Sequence, residues 1–241
     1  SEASTFKKIA DELGIICLSA PGDPLHYVRH PLVYLMEAAD DICYEIMDIE
    51  DSHKLKILSF DETTELLLGF FDKNTQTDIL NRLKREGVTD ENEKIVYMRA
   101  CVVGKLENEC VQAFVDHEDE ILHGTLKGTL IDNISEPQRL AYKRCSEISY
   151  KRIYRSKPVL DIELSGYKIM ETLMQSLISA VVQPERFHSK QIIERVSSQY
   201  DIHSDNLETR IMAVIDFISG MTDVYALDIY QKINGVALPI V

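Results

Sequence analysis

Between residues 37 and 51 the chain reads Glu37-Ala38-Ala39-Asp40-Asp41-Ile42-Cys43-Tyr44-Glu45-Ile46-Met47-Asp48-Ile49-Glu50-Asp51. Wound as a helix at roughly 100° per residue, Glu37, Asp40, Asp41, Tyr44, Asp48 and Asp51 form one acidic stripe with a single phenol in it. A solvated face normally mixes Lys or Arg among its acids, because opposite charges three or four residues apart stabilise a helix. No such cation lies within this stripe. Repelling carboxylates flanked by Ala38, Ala39, Ile42, Cys43, Ile46 and Met47 suit oxygen ligands held for a cation and its polar substrate. Asp40, central and set among small or apolar neighbours, is the metal-ligand candidate. Tyr44 and Asp48 follow at one-turn intervals, so their tips can line a groove in which a phenol packs on a sugar and a carboxylate accepts from a hydroxyl. A wet helix face and an ordinary core-edge tyrosine account for the same pattern, and composition alone does not separate the two readings.

A second candidate region is basic. Residues 139 to 157 carry Arg139, Lys143, Arg144, Lys151, Arg152, Arg155 and Lys157 against one acid, Glu147, with Tyr142, Tyr150 and Tyr154 interleaved. Such a patch can cradle phosphates or a base. A solvated helix face explains most of these charges, which leaves Lys151 and Tyr154 as the ligand candidates. The seven histidines are scattered without HxxxH or HExxH spacing, and His26, His30 and His53 suit loop or surface roles. No P-loop, GxGxxG or GxSxG sequence is present.

The elements that must position these residues are helical. In 241 residues there are only 7 Pro and 10 Gly, too few for a turn-rich β protein, and helix-forming residues fill the long segments. The expected fold class is all-α, a multi-helix architecture with at most one short strand pair. A short helix spans 4 to 13, with Ser4 or Thr5 as its cap and Gly14 as its end. Pro31 opens the acidic-stripe helix, which runs to about 53. Further helices are expected near 60 to 71, 76 to 86, 92 to 123 as one long helix or two in line around Gly104, 136 to 155, 167 to 182, 188 to 199, 205 to 219 and 222 to 233. Val159-Leu160-Asp161-Ile162-Glu163-Leu164 alternates in the manner of a short strand.

A net charge of -14 argues against a broad nucleic-acid surface, though not against a nucleotide brought in by a metal ion. Five cysteines without CxxC spacing give no disulfide framework or zinc site and point to a reducing cytoplasm. No apolar run is long enough to span a membrane. The chain begins with Ser, so it is expected to be processed or a piece of something longer.

The phrase Arg29-His30-Pro31-Leu32, running through Tyr34-Leu35-Met36-Glu37-Ala38-Ala39-Asp40-Asp41-Ile42-Cys43-Tyr44 to Asp48-Ile49-Glu50-Asp51, closely resembles the dGTP triphosphohydrolase family of HD-domain phosphohydrolases. Asp216-Phe217-Ile218-Ser219-Gly220-Met221-Thr222-Asp223-Val224-Tyr225-Ala226-Leu227 resembles that family's closing segment, and Leu238-Pro239 also fits. The two motifs bracket nearly the whole chain.

This resemblance implies an HD-type helical architecture in which an H…HD…D set holds a divalent metal, Mg or Mn, and assigns Asp40 as the last ligand. It places Tyr44 and Asp48 against the deoxyribose. An arginine ahead of the closing motif, nearest to Arg210, would reach substrate phosphates or a neighbouring active site. Val224 stands where relatives often carry a basic residue. No His followed by His-Asp precedes Asp40, so the resemblance is to the C-terminal portion of a family member. Residues 1 to 56 would then complete the catalytic core, and 57 to 241 would form a helical region for substrate and subunit contacts. The implied activity is metal-assisted hydrolysis of dGTP or related dNTPs to deoxynucleoside and inorganic triphosphate, in a homo-oligomer that includes the missing N-terminal part. The isolated chain would be inactive. The rival reading is a non-catalytic helical nucleotide-binding or oligomerisation module.

Overall fold

The computed structural model describes residues 2–236, so Leu238 and Pro239 lie outside the described residues. It is all-α: the described residues form eleven α-helices in two compact units, 1–156 and 157–241. The division at residue 56 made on functional grounds is a different partition of the chain, which this packing boundary does not address.

The first unit contains α1 (Ala3–Leu13), α2 (Pro31–Lys54), α3 (Phe60–Leu68), α4 (Lys73–Arg85), α5 (Glu91–Asp116), α6 (Glu118–Leu122) and α7 (Glu136–Ile148). A π-turn, Ser149–Ile153, extends α7. Pro31 occupies the first turn of α2, where its missing N–H costs nothing, and His30 caps the helix by accepting from Leu32 N at 3.2 Å. Ser59 and Glu62 form a reciprocal capping box on α3. Gly14, Gly87 and Gly124 end their helices with φ near +67°, a conformation that costs glycine little. The core is built where α2 lies against α5, with Ile42, Ile46 and Ile49 buried in one cluster with Ile95, Met98, Val102 and Leu106. Each such side chain contributes about 1.5–3 kcal/mol on burial.

The second unit contains α8 (Lys157–Val182), α9 (Phe187–Ile193), α10 (Leu207–Ser219) and α11 (Asp223–Ile233). Leu173, Leu177, Ala180 and Val181 of α8 share its core with Val214, Phe217, Ile218 and Ile229. The closing motif is the joint between α10 and α11. Gly220 caps α10, and a Cβ there would sit 3.0 Å from the Tyr200 hydroxyl, while Thr222 caps α11 by accepting from Tyr225 N.

Three expectations are corrected. The expected strand at 159 to 164 is the start of α8, so the described residues contain no strand pair, only an isolated bridge between Cys17 and Tyr27. Pro158 is fixed near a helical φ, and a helix satisfies its own backbone groups where a lone strand cannot. The alternation misleads because Ile162 and Leu164 are both largely exposed and thus mark no buried face. Helix α5 runs unbroken through Gly104, as the one-helix reading has it, but ends at Asp116, and α6 follows after His117. Helix α1 begins at Ala3, so Ser4 and Thr5 lie inside it, and Glu2 at the N-cap position makes no side-chain capping bond.

Candidate functional site

Helix α2 sorts its residues as the wheel demands. Tyr34, Ala38, Ile42, Ile46 and Ile49 are buried, Asp40 and Tyr44 are exposed, and Asp48 is half-buried. At about 1.5 Å rise per residue, Asp40, Tyr44 and Asp48 stand at one-turn intervals of roughly 6 Å. Neither the Asp40 carboxylate nor the Tyr44 hydroxyl has a side-chain partner among the described residues, so both remain available to a ligand.

Asp48 is engaged from across the unit. The Tyr154 hydroxyl donates to Asp48 Oδ2 at 2.6 Å, joining residues 106 positions apart in sequence. Burial first, and then the Asp48 carboxylate, push the Tyr154 phenol well above its ordinary value of 10. It therefore stays a hydrogen-bond donor at neutral pH. The bond occupies one oxygen of Asp48 and leaves Oδ1 free to accept from a hydroxyl.

The flanks of the row are braced. Arg29, from the segment before α2, reaches Glu37 at 3.1 Å and lies over the Tyr34 ring at 5.5 Å. Asp51 pairs with Lys54 at 3.0 Å. Asp41 has its carboxyl pushed up, by burial first and then by Glu37, Asp40 and Asp132. Its backbone carbonyl accepts from the Tyr142 hydroxyl at 3.0 Å, which ties α7 to α2. Behind the row, buried Glu50 pairs with Arg99 of α5 and with Lys54 at 2.6 Å.

Three cations of the basic segment are paired within the fold. Arg144 meets Glu65 and Arg152 meets Glu62, each at 2.6 Å, and Lys151 lies 3.3 Å from Glu147. Arg155 stacks on Tyr150. Of the candidates from this segment, Tyr154 joins the α2 row, while Lys151 is exposed on the π-turn. Arg210 belongs to the second unit, on α10, where its buried Nε has no partner.

Sequence reasoning missed Glu45. It falls on the apolar side of α2 and is nearly buried, accepting from Ser146 Oγ and Ser149 Oγ at 2.7 Å each. The available signal was an acid in register with Ala38, Ile42 and Ile49. The acidic row offers one exposed oxygen ligand in Asp40, and no group of three or more His, Cys, Asp or Glu converges among the described residues. These residues therefore do not fit a complete metal centre by themselves.

A model of a phosphohydrolase-associated domain matches residues 133–232. A deoxyguanosinetriphosphate triphosphohydrolase-like protein of Pseudomonas aeruginosa is 31% identical over 99% of this chain and 54% of its own length. Similarly named proteins of Listeria monocytogenes and Synechocystis are 32% and 28% identical, over 87% and 99% of this chain and 50% and 52% of their own lengths. The chain thus spans about half the length of the curated relatives it matches. With both quoted motifs inside the region shared with the Pseudomonas protein, the chain is similar to deoxyguanosinetriphosphate triphosphohydrolase-like proteins over nearly its whole length and carries the phosphohydrolase-associated domain.

Proposed function

We propose that this chain is the C-terminal portion of a metal-dependent triphosphohydrolase acting on dGTP or related dNTPs, and that it supplies the wall that holds the sugar. Deoxynucleoside and inorganic triphosphate would be the products, made in the cytoplasm by a homo-oligomer. The observation that supports this most is the 2.6 Å bond from Tyr154 to Asp48, which completes a row of Asp40, Tyr44 and Asp48 with a fourth polar group from α7's extension. Acids on a merely wet face would not need a distant phenol to orient one of them.

In this reading Tyr44 packs against the deoxyribose, and Asp48, fixed by Tyr154, accepts from a sugar hydroxyl through Oδ1. Holding the sugar to a defined wall converts binding energy into alignment of the phosphate to be cleaved. Asp40 contributes one ligand to a divalent cation whose other ligands come from outside this sequence; when bound, that cation would supply charge stabilisation at the phosphate. Lys151, loosely paired with Glu147, is assigned to substrate phosphates. Arg210, with an unpartnered Nε, is assigned to phosphates or to a neighbouring active site. Residues 1 to 56 complete the catalytic core, and 57 to 241 provide the remaining substrate and subunit contacts.

The test is triphosphate release from dGTP with Mg or Mn, measured for this chain, for the protein at the family's full length, and for the two parts recombined. Release only when both parts are present supports the proposal. Turnover by this chain alone, or none by the full-length protein, counts against it.

A further inference from the structure

The π-turn between α7 and Tyr154 departs from regular helix at a defined place. Tyr154 N donates to Ser149 O at 3.0 Å, closing a five-residue loop where a continued α-helix would close four. Such a turn advances the chain by a different angle per residue, so it decides which way the following side chain points. Ser149, at its start, is fully buried. Its hydroxyl is spent on Glu45 Oε1, while Ser146, in the last turn of α7, donates to Glu45 Oε2. Each oxygen of one buried carboxylate thus holds one side of the junction from α2, three residues before Asp48.

A charge withdrawn from water is costly unless its oxygens are satisfied. Glu45 takes one donor on each oxygen, both over 100 residues away in sequence, and no cation is paired with it among the described residues. For stability alone an apolar residue on this face would serve as well. What the carboxylate adds is direction, since the two serines can satisfy it together in one register only.

We propose that Glu45 is a positioning residue: by clamping Ser146 and Ser149 it fixes the π-turn so that Tyr154 donates to Asp48. Its consequence for substrate rests on the reading of Asp48, fixed by Tyr154, as a sugar contact, whereas the clamp itself does not. Glu45 sits on α2 beside the two residues it aligns, so the same helix carries both the ligand-facing row and the device that sets it.

The decisive variant is Ser146→Ala with Ser149→Ala, which removes both donors and leaves the Glu45 charge in place. In the folded chain carrying 13Cζ-labelled tyrosine, the Tyr154 resonance, identified by its loss in Tyr154→Phe, reports the alkaline titration of that phenol. A wild-type midpoint raised above the ordinary phenol value is expected, by burial first and then by Asp48, and the clamp predicts a lower midpoint in the double variant, because Tyr154 leaves Asp48. An unchanged midpoint in the folded double variant overturns the proposal; should that variant not fold, Ser149→Ala alone is read the same way. In the full-length enzyme, Ser149→Ala is expected to raise KM for dGTP about tenfold with a smaller change in kcat, and to add nothing in a Tyr154→Phe background. A lowered midpoint with unchanged KM upholds the clamp and defeats the assignment of Asp48, fixed by Tyr154, to the sugar.

Discussion

Replacing Tyr154 with Phe removes one oxygen and keeps the ring, so it isolates the bond to Asp48. A hydrogen bond to a charged acceptor contributes about 1.5–3 kcal/mol when buried. Tyr154 is 41% exposed, and water screens the contact toward the range of about 0–1 kcal/mol typical of surface ion pairs. The expected loss at pH 7 is therefore about 1 kcal/mol, a urea midpoint lower by roughly 0.5 M for a slope of about 2 kcal/mol per M. The sign of its pH dependence follows from the phenol. Its folded value is raised above 10, by burial first and then by Asp48, so its contribution is complete below pH 10. As pH rises above 10 the unfolded wild-type chain loses this proton while the folded chain retains it, and the wild-type advantage shrinks. Urea unfolding of the first unit, followed by circular dichroism at pH 7 and pH 10.5, measures both effects. Equal midpoints at pH 7, or a gap that widens with alkalinity, would refute the reasoning.

Three further perturbations address the frame around the row. Arg99→Leu leaves Glu50, whose side chain is 7% exposed, with Lys54 as its one remaining cation and Oε2 unpaired, and should cost about 3 kcal/mol at most. Glu50→Gln leaves Arg99 able to reach water and should cost about 1–2 kcal/mol, so equal losses in urea would contradict this account. Gly124→Ala combines a left-handed residue, φ +66°, with a Cβ 2.3 Å from Val28 Cγ1. Overpacking of about 1–3 kcal/mol and backbone strain of about 1–2 kcal/mol are expected, and adding Val28→Ala should recover only part of the overpacking in thermal melts, because the Val28 Cβ that remains would still lie 2.5 Å away. Glu62 is held down at about 2, chiefly by Arg152 and then by its cap to Ser59. Its contribution is present above its ordinary value of 4.5 and lost as pH falls toward 2, so wild type and Glu62→Gln should differ in midpoint at pH 6 and converge near pH 2.

Local signals explain what was legible in the sequence. Pro31 marks the start of α2, and one helical period separates Ile42, Ile46 and Ile49 from Asp40 and Tyr44, because burial and winding act over a few residues. Contacts between distant segments were not legible. Within the basic stretch at 139 to 157, Arg144 and Arg152 are paired with Glu65 and Glu62 of α3, about 80 to 90 positions away. Lys151 and Tyr154, three residues apart, have different neighbours, one Glu147 and the other Asp48, and no spacing rule distinguishes them. Glu45 looks like a fault in an apolar face until Ser146 and Ser149 are folded onto it. Val159 to Leu164 alternates without a buried face to sort, so periodicity had no physical basis there.

The central claim is that the α2 row works on a deoxynucleoside triphosphate, and Asp40 is where it is most exposed to refutation. In the protein at the family's full length, Asp40→Ala should abolish metal-dependent triphosphate release from dGTP while the helical circular dichroism spectrum is retained, since Asp40 is a solvent-facing residue of α2. Release at the wild-type rate from that variant would contradict the account.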